Sequence, residues 1–283
     1  KIILLLTSFA CVLLLVFTLL LYIQYPRAVQ NILRLAISHD YIYINFHPFI
    51  IIDSRLVMGY EALARWKNVN GEHIPPDIFI KLAESTGQIK ALTRCVITRA
   101  LRDISPLLQN NSTLFVSINI TTADATEPDF RVFLEEEMDK CRLQRNQIVL
   151  EITERSTADH RLLKASLERL RDYGYRIALD DFGTGYSNLD YLSKLSFDFI
   201  KIDKIFTAAI GTDAINATVT DMVISLAQRL NIALVAEGVE TAEQAHYLRE
   251  RGVDHLQGYY YARPMPIEDF PVWLEQHQAH LRA

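Results

Sequence analysis

HRLLKASLERLRDYGYRIALDDFGTGYS, residues 160–187, reads as one helix, one strand and one turn in succession. Through Gly174 the apolar residues recur at helical spacing, and from Tyr175 a β-prone run begins that stops on two adjacent acids, Asp180 and Asp181. Gly183 and Gly185 then let the chain turn. The alternation extends in both directions. Strand-like runs are YIYINFHPFII (41–51), LVMGYEALARW (56–66), TLFVSINI (113–120), QIVLEIT (147–153), FDFIKID (197–203), IALVAEG (232–238) and DHLQGYY (254–260), and helical patterns fall at 78–104, 130–141 and 215–231. Eight strands with intervening helices over about 230 residues match an α/β fold of (β/α)8, TIM-like type. Only Ile52, Asp53, Ser54 and Arg55 separate the first two strands, too few for a helical crossover, so an irregular barrel with one antiparallel strand is expected. An open doubly wound sheet is the competing architecture, but no GxGxxG turn follows the first strand.

Composition bounds the function. Half of the 283 residues are hydrophobic, and a net charge of -5 gives no sign of a DNA- or RNA-binding surface. Cys11, Cys95 and Cys141 are too few and too scattered for a disulfide framework or a zinc site, and the eight histidines show no metal-ligand spacing. From Ile2 to Ile23 there is no charged residue, and as a helix this run spans about 33 Å at about 1.5 Å per residue. It is expected to be a transmembrane helix (1–24) in the lipid bilayer of a bacterial inner (cytoplasmic) membrane. A core helix is the alternative. Arg27 and Arg34 follow the run while only Lys1 precedes it, which favours a cytoplasmic domain after it. The chain begins at Lys1 rather than Met, which points to an upstream portion. Pro26 then starts a short connector helix (25–40), followed by the barrel (41–276) and a C-terminal tail (277–283).

Acids recur where the strand runs give out: Glu61, Glu151, Asp180, Asp181 and Glu237. Carboxylates gathered at one rim repel and take up protons unless a multivalent cation neutralises them, so the pattern points to a metal-dependent hydrolase. In GYEALARW, Glu61 and Arg65 share a strand face, an acid to hold a metal beside a guanidinium to hold an anion; an ion pair that solubilises the rim is the plainer reading. Asn119 ends a strand on the face of Phe115 and Ser117 and offers a carbonyl oxygen to a hard cation, or acts as a turn residue. Adjacent strand residues face opposite ways, so Asp180 and Asp181 serve one site only if regular strand geometry breaks there; the alternative makes Asp181 a cap. Lys201 and Asp203 lie on one face of FIKID, where a lysine can orient or deprotonate the attacking water or balance charge. Glu237 and Gln257 close the ring, and Glu154 is suited to bonding a neighbouring loop.

EALAR, FVSINI, LEITE, LDDFGTGYS, IKIDK, VAEGVET and QGYYYARP, in this order, resemble the EAL domain, a bacterial phosphodiesterase that linearises cyclic di-GMP. The resemblance runs from Tyr41 to about Leu274 and implies an irregular (β/α)8 barrel, two Mg2+ or Mn2+ ions and a homodimer through the barrel. By motif position it implies that Glu61, Asn119, Glu151 and Asp180 bind the first metal and that Asp180 and Asp181 serve the second. Lys201 and Glu237 would position the attacking water, Arg65 a substrate phosphate, and Gln257 water or substrate, with Asp203 also facing the substrate. Glu154 would anchor the loop from Asp181 to Ser187. The family's first strand usually reads Gln-Pro-Ile where this chain has His47-Pro48-Phe49, so a nucleotide contact changes. A helix joined to the domain by a short connector also resembles a subgroup with a periplasmic cysteine-containing (CSS-motif) sensor. A non-catalytic cyclic di-GMP receptor, or a barrel enzyme using metal and lysine for proton abstraction, are the other readings; the Asp pair and Arg65 fit phosphoryl chemistry better.

Overall fold

The computed structural model describes residues 30–153, 160–183, 192, 195–212 and 215–282. They fall into two units: the smaller takes in Arg65–Cys95 with the chain up to Tyr43, the larger Ile44–Ala64 with the chain from Val96.

In the smaller unit, a helix α1 (30–38) buries Leu33 and Ala36, and Gln88 Nε2 donates to Gln30 O at 3.1 Å. This helix falls within the stretch 25–40, whose residues 25–29 lie outside the described ones. The expected helix of 78–104 is two: α2 (Pro76–Ser85) opens on a proline, and α3 (Ile89–Asn110) begins after Gly87, whose φ of +69° breaks the run. Trp66 packs edge-on against Phe79 of α2, ring centroids 6.0 Å apart.

The larger unit is built on a closed ring of eight strands. These are β1 (Ile42–Ile51), β2 (Val57–Lys67), β4 (Phe115–Asn119), β5 (Ile148–Thr153), β6 (Arg176–Phe182), β7 (Phe199–Ile202), β8 (Ala233–Ala236) and β9 (His255–Leu256), while β3 (His73–Ile74), which belongs to the smaller unit, is an extra strand on Trp66 and Lys67 of that unit. From β2 round to β9 each neighbour is parallel, and β1 closes the ring by pairing antiparallel with β9 and also with β2. The short Ile52–Arg55 connection thus has the consequence expected of it. β9 is only two residues long because the chain from Gln257 bonds back to the β8 loop, Gln257 N to Ala236 O at 2.9 Å and Val239 N to Gln257 O at 3.1 Å.

Inside the ring, Phe49, Phe115, Val149, Ala178, Phe199 and Val235 form an apolar layer. Phe115 stacks on Phe49 and on Phe199, each at 5.6 Å, and the Arg176 guanidinium lies 4.5 Å from the Phe115 ring centroid. Side chains alternate along a strand, so on each parallel strand the residue two steps beyond this layer points into the same interior nearer the C-terminal rim, while on the antiparallel β1 it is the residue two steps before Phe49, His47. That is where the polar residues gather.

No helix among the described residues is long and apolar enough to cross a membrane, and the expected span of residues 1–24 lies outside them. At the other end, the expected tail continues the last helix, Phe270–Arg282, through residue 282.

Candidate active site

Two residues beyond the apolar layer, Glu151 follows Val149, Asp180 follows Ala178, Lys201 follows Phe199 and Glu237 follows Val235. Glu61 lies on β2, in register with Ser117 of β4. Lys201 Nζ sits at the centre, 2.6 Å from Glu237 Oε1, 2.8 Å from Glu151 Oε2 and 3.2 Å from both Glu61 Oε1 and Asp180 Oδ1. Its side chain is 2% exposed and that of Glu151 1%. The Asn119 amide donates to Glu61 Oε1 at 3.2 Å, and the Gln257 amide donates to Glu61 Oε2 at 3.1 Å and to His47 O at 3.3 Å. Gln257 is held in place by the following Gly258, where an added Cβ would lie 2.1 Å from Val239 O.

Four carboxylates around one ammonium leave three negative charges unbalanced if all are ionised. Burial, with the charges of Glu61 and Asp180 adding to it, pushes Glu151 well above the usual carboxylate range despite Lys201. Burial, with the charges of Asp180 and Glu61, likewise raises Glu237 to about 8 against the pull of Lys201. Glu61 goes the other way: burial raises it, but Lys201, His47 and the hydrogen bonds from Lys201 and Gln257 together leave it below the usual value. For Lys201, burial works against the charged form and the four carboxylates outweigh it, so the ammonium holds its proton more firmly than a free lysine. Protons on Glu151 and Glu237 would relieve part of this charge, and a hard divalent cation suits the site's oxygen donors. Glu61, Glu151 and Asp180 each present a carboxylate oxygen within 4.8 Å of the others, an acidic triad that could hold a metal.

The remaining expected residues take up varied positions. β6 carries a bulge between Leu179 and Phe182, where three steps on β6 match two on β7, and Asp181 has a φ of +55°. Its backbone N–H donates to Asp180 Oδ1 at 2.9 Å, its side chain is half-buried, and it stands outside the triad. Asp203 lies just past β7, and its Oδ1 caps the next helix by accepting from Ile205 N at 2.7 Å. Arg65, half-buried, falls in the smaller unit. Glu154 and the loop from 184 to 187 lie outside the described residues. Ser117, fully buried, went unassigned in the sequence, and His47, marked there only as standing where the family's first strand usually has Gln, has its Nε2 3.0 Å from Ala262 O. Both follow strand alternation, which puts 47 with 49 and 117 with 119.

Comparison with known proteins agrees with this geometry. The sequence model of the EAL domain matches residues 30–264. "Probable cyclic di-GMP phosphodiesterase PdeD" of Escherichia coli (strain K12) is 44% identical over 235 residues, 80% of this chain and 42% of that protein. "Probable cyclic di-GMP phosphodiesterase PdeN" of the same organism is 39% identical over 242 residues, 85% of this chain and 47% of that protein. This chain thus spans about half the length of the curated relatives it matches. Among solved structures, "PaMucR Phosphodiesterase, c-di-GMP complex" superposes with a TM-score of 0.80 at 30% identity, covering 86% of this chain and 99% of that one. EAL enzyme Bd1971, in its cAMP- and cyclic-di-GMP-bound form, gives 0.82 at 30% identity, over 91% and 74%.

Proposed function

We propose that this chain, which belongs to the EAL-domain family, hydrolyses one phosphodiester bond of cyclic di-GMP to give linear 5'-pGpG. The observation that carries the proposal is the meeting of four carboxylates on one buried ammonium at the C-terminal rim of the barrel. Two Mg2+ or Mn2+ ions, when bound, would supply charge stabilisation and a nucleophile at neutral pH. Glu61, Glu151, Asp180 and Asn119 would hold the first and Asp180 with Asp181 the second; the bulge at Asp181 supports this assignment, since it releases the second acid from strict alternation.

The protein's own groups then divide the work. Lys201 and Glu237, 2.6 Å apart, orient the attacking water, and the Glu237 carboxylate is the group that takes its proton. Gln257 steadies Glu61 from the β1 side, and Arg65 receives a substrate phosphate. Asp203, in setting the start of the helix after β7, shapes the substrate wall, and Glu154 anchors the loop that follows β6. Residues 1–24 fix the domain to the bacterial inner membrane with the barrel on its cytoplasmic side, and two copies pair through their barrels to answer a membrane or periplasmic input.

The test incubates the purified chain with cyclic di-GMP and Mg2+, with and without chelator. Linear product that appears only without chelator supports the reading, and Glu61→Ala is expected to abolish it. Full Mg2+-dependent turnover by Glu61→Ala would overturn the assignment.

A further inference from the structure

Beneath the acidic rim the barrel interior is underfilled. Between the apolar layer and the pair Glu151 and Lys201 lies a cavity of ≈ 10 Å³, walled on one side by Ser117. Ser117 is 0% exposed, and its Oγ has no hydrogen-bond partner among the described residues. A buried hydroxyl left in that condition is destabilising. A water needs roughly 10–15 Å³ of such space and two to four polar neighbours, so the cavity is of one-water size.

The neighbours are suited to the task. Lys201 has three N–H groups and four carboxylates within 3.2 Å, so it has no proton to spare for the cavity. A carboxylate accepts about four hydrogen bonds, and Glu151 has acceptor capacity beyond its bond from Lys201. The strand register sets the level: Ser117 lies beside Glu61 on β2 and Val149 on β5, one inward step below Asn119, which is in register with Glu151. Of the side chains at this level, Ser117 is small and Ala178 is small; a branched residue at 117 would close the space.

We propose that this cavity is a binding site for a single water molecule, accepting from Ser117 Oγ and donating to Glu151, so that Ser117 is a positioning residue for the cation-binding carboxylate above it. The water braces Glu151 from below the acidic rim, where Lys201 is the other polar side chain that lines the cavity among the described residues. The proposal rests on the cation-binding reading only for its consequence, not for the water itself.

High-resolution crystal structures of the chain without divalent cation, as wild type and as Ser117→Ala, test the site. Density is expected about 2.7–3.2 Å from both Ser117 Oγ and a Glu151 oxygen in the wild type, and none in the variant. A dry cavity in the wild type, or a water that persists in Ser117→Ala, overturns the site. Calorimetric titration with Mg2+ tests the positioning: Ser117→Ala and the cavity-filling Ser117→Val are each expected to weaken binding about 3- to 10-fold, at or below the ~10–100-fold of a directly bonded outer partner. Unchanged affinity in both overturns the positioning role. A water present in a wild type that binds no Mg2+ would sink the cation reading while leaving the site intact.

Discussion

At Lys201 one ammonium, 2% exposed, stands within 3.2 Å of four carboxylates, so its removal leaves buried like charges facing each other. Lys201→Met is expected to lower stability by about 3 kcal/mol or more near pH 8 in chelator, read from urea unfolding, and to cut turnover at least ~100-fold. Glu237 carries a pH signature in the same metal-free protein. Its value of about 8 lies above the unfolded carboxylate range near ~4.5, as does that of Glu151. A raised folded value means that the proton stabilises the fold, fully so below the unfolded value and less as pH climbs through the folded one. In chelator, Tm should therefore fall between pH 6 and pH 9, and saturating Mg2+ should flatten the slope; a Tm rising over that range would contradict the burial of these acids. The acids themselves were legible in the sequence because each ends an apolar run. Ser117 was not, since a lone small residue in a strand gives no signal until its neighbours are known, and His47 stood out only against the family's usual first strand.

The strands that carry these residues depend on how closely their backbones approach. At Gly59 an added Cβ would lie 2.7 Å from Phe115 O and 2.8 Å from two carbons of the Phe115 ring, so β2 lies hard against β4 two residues before Glu61. The ring can move, but the carbonyl belongs to the sheet ladder. Gly59→Ala is thus expected to cost about 1–3 kcal/mol by denaturant unfolding and to reduce turnover per folded molecule, since any shift of β2 carries Glu61 with it. Pairing it with Phe115→Leu should restore little of either; full rescue would place the strain in the ring alone. Strand existence was readable from β-prone runs such as IVLEIT, whereas the β6 bulge was visible only as a geometric requirement that two adjacent acids imposed. The break between α2 and α3 was missed because the apolar spacing of residues 78–104 carries across Gly87, and only its positive φ shows that the chain turns. Asp203 was read as strand because FIKID alternates to its end, yet a helix-capping carboxylate overrides that pattern.

On the scale of the whole molecule, the uncharged run from Ile2 to Ile23 precedes in sequence the helix of residues 30–38, which buries Leu33 and Ala36 and is tied to Gln88. Attachment to a bilayer would then be followed in the chain by a short helix, residues 30–38, with its own packing. If residues 1–24 span the membrane, the chain expressed in bacteria should stay in the membrane pellet through an alkaline carbonate wash, which strips surface-bound proteins. An aspartate near the centre of a membrane helix costs about 2.5–3.5 kcal/mol on insertion scales. The double substitution Leu13→Asp and Leu14→Asp lies far in sequence from every residue of the acidic site, so it is expected to shift the chain to the supernatant while leaving Mg2+-dependent hydrolysis of cyclic di-GMP unchanged. Release of the wild-type chain by carbonate would reject the span, and loss of hydrolysis in the released variant would show that the membrane segment supports the barrel itself.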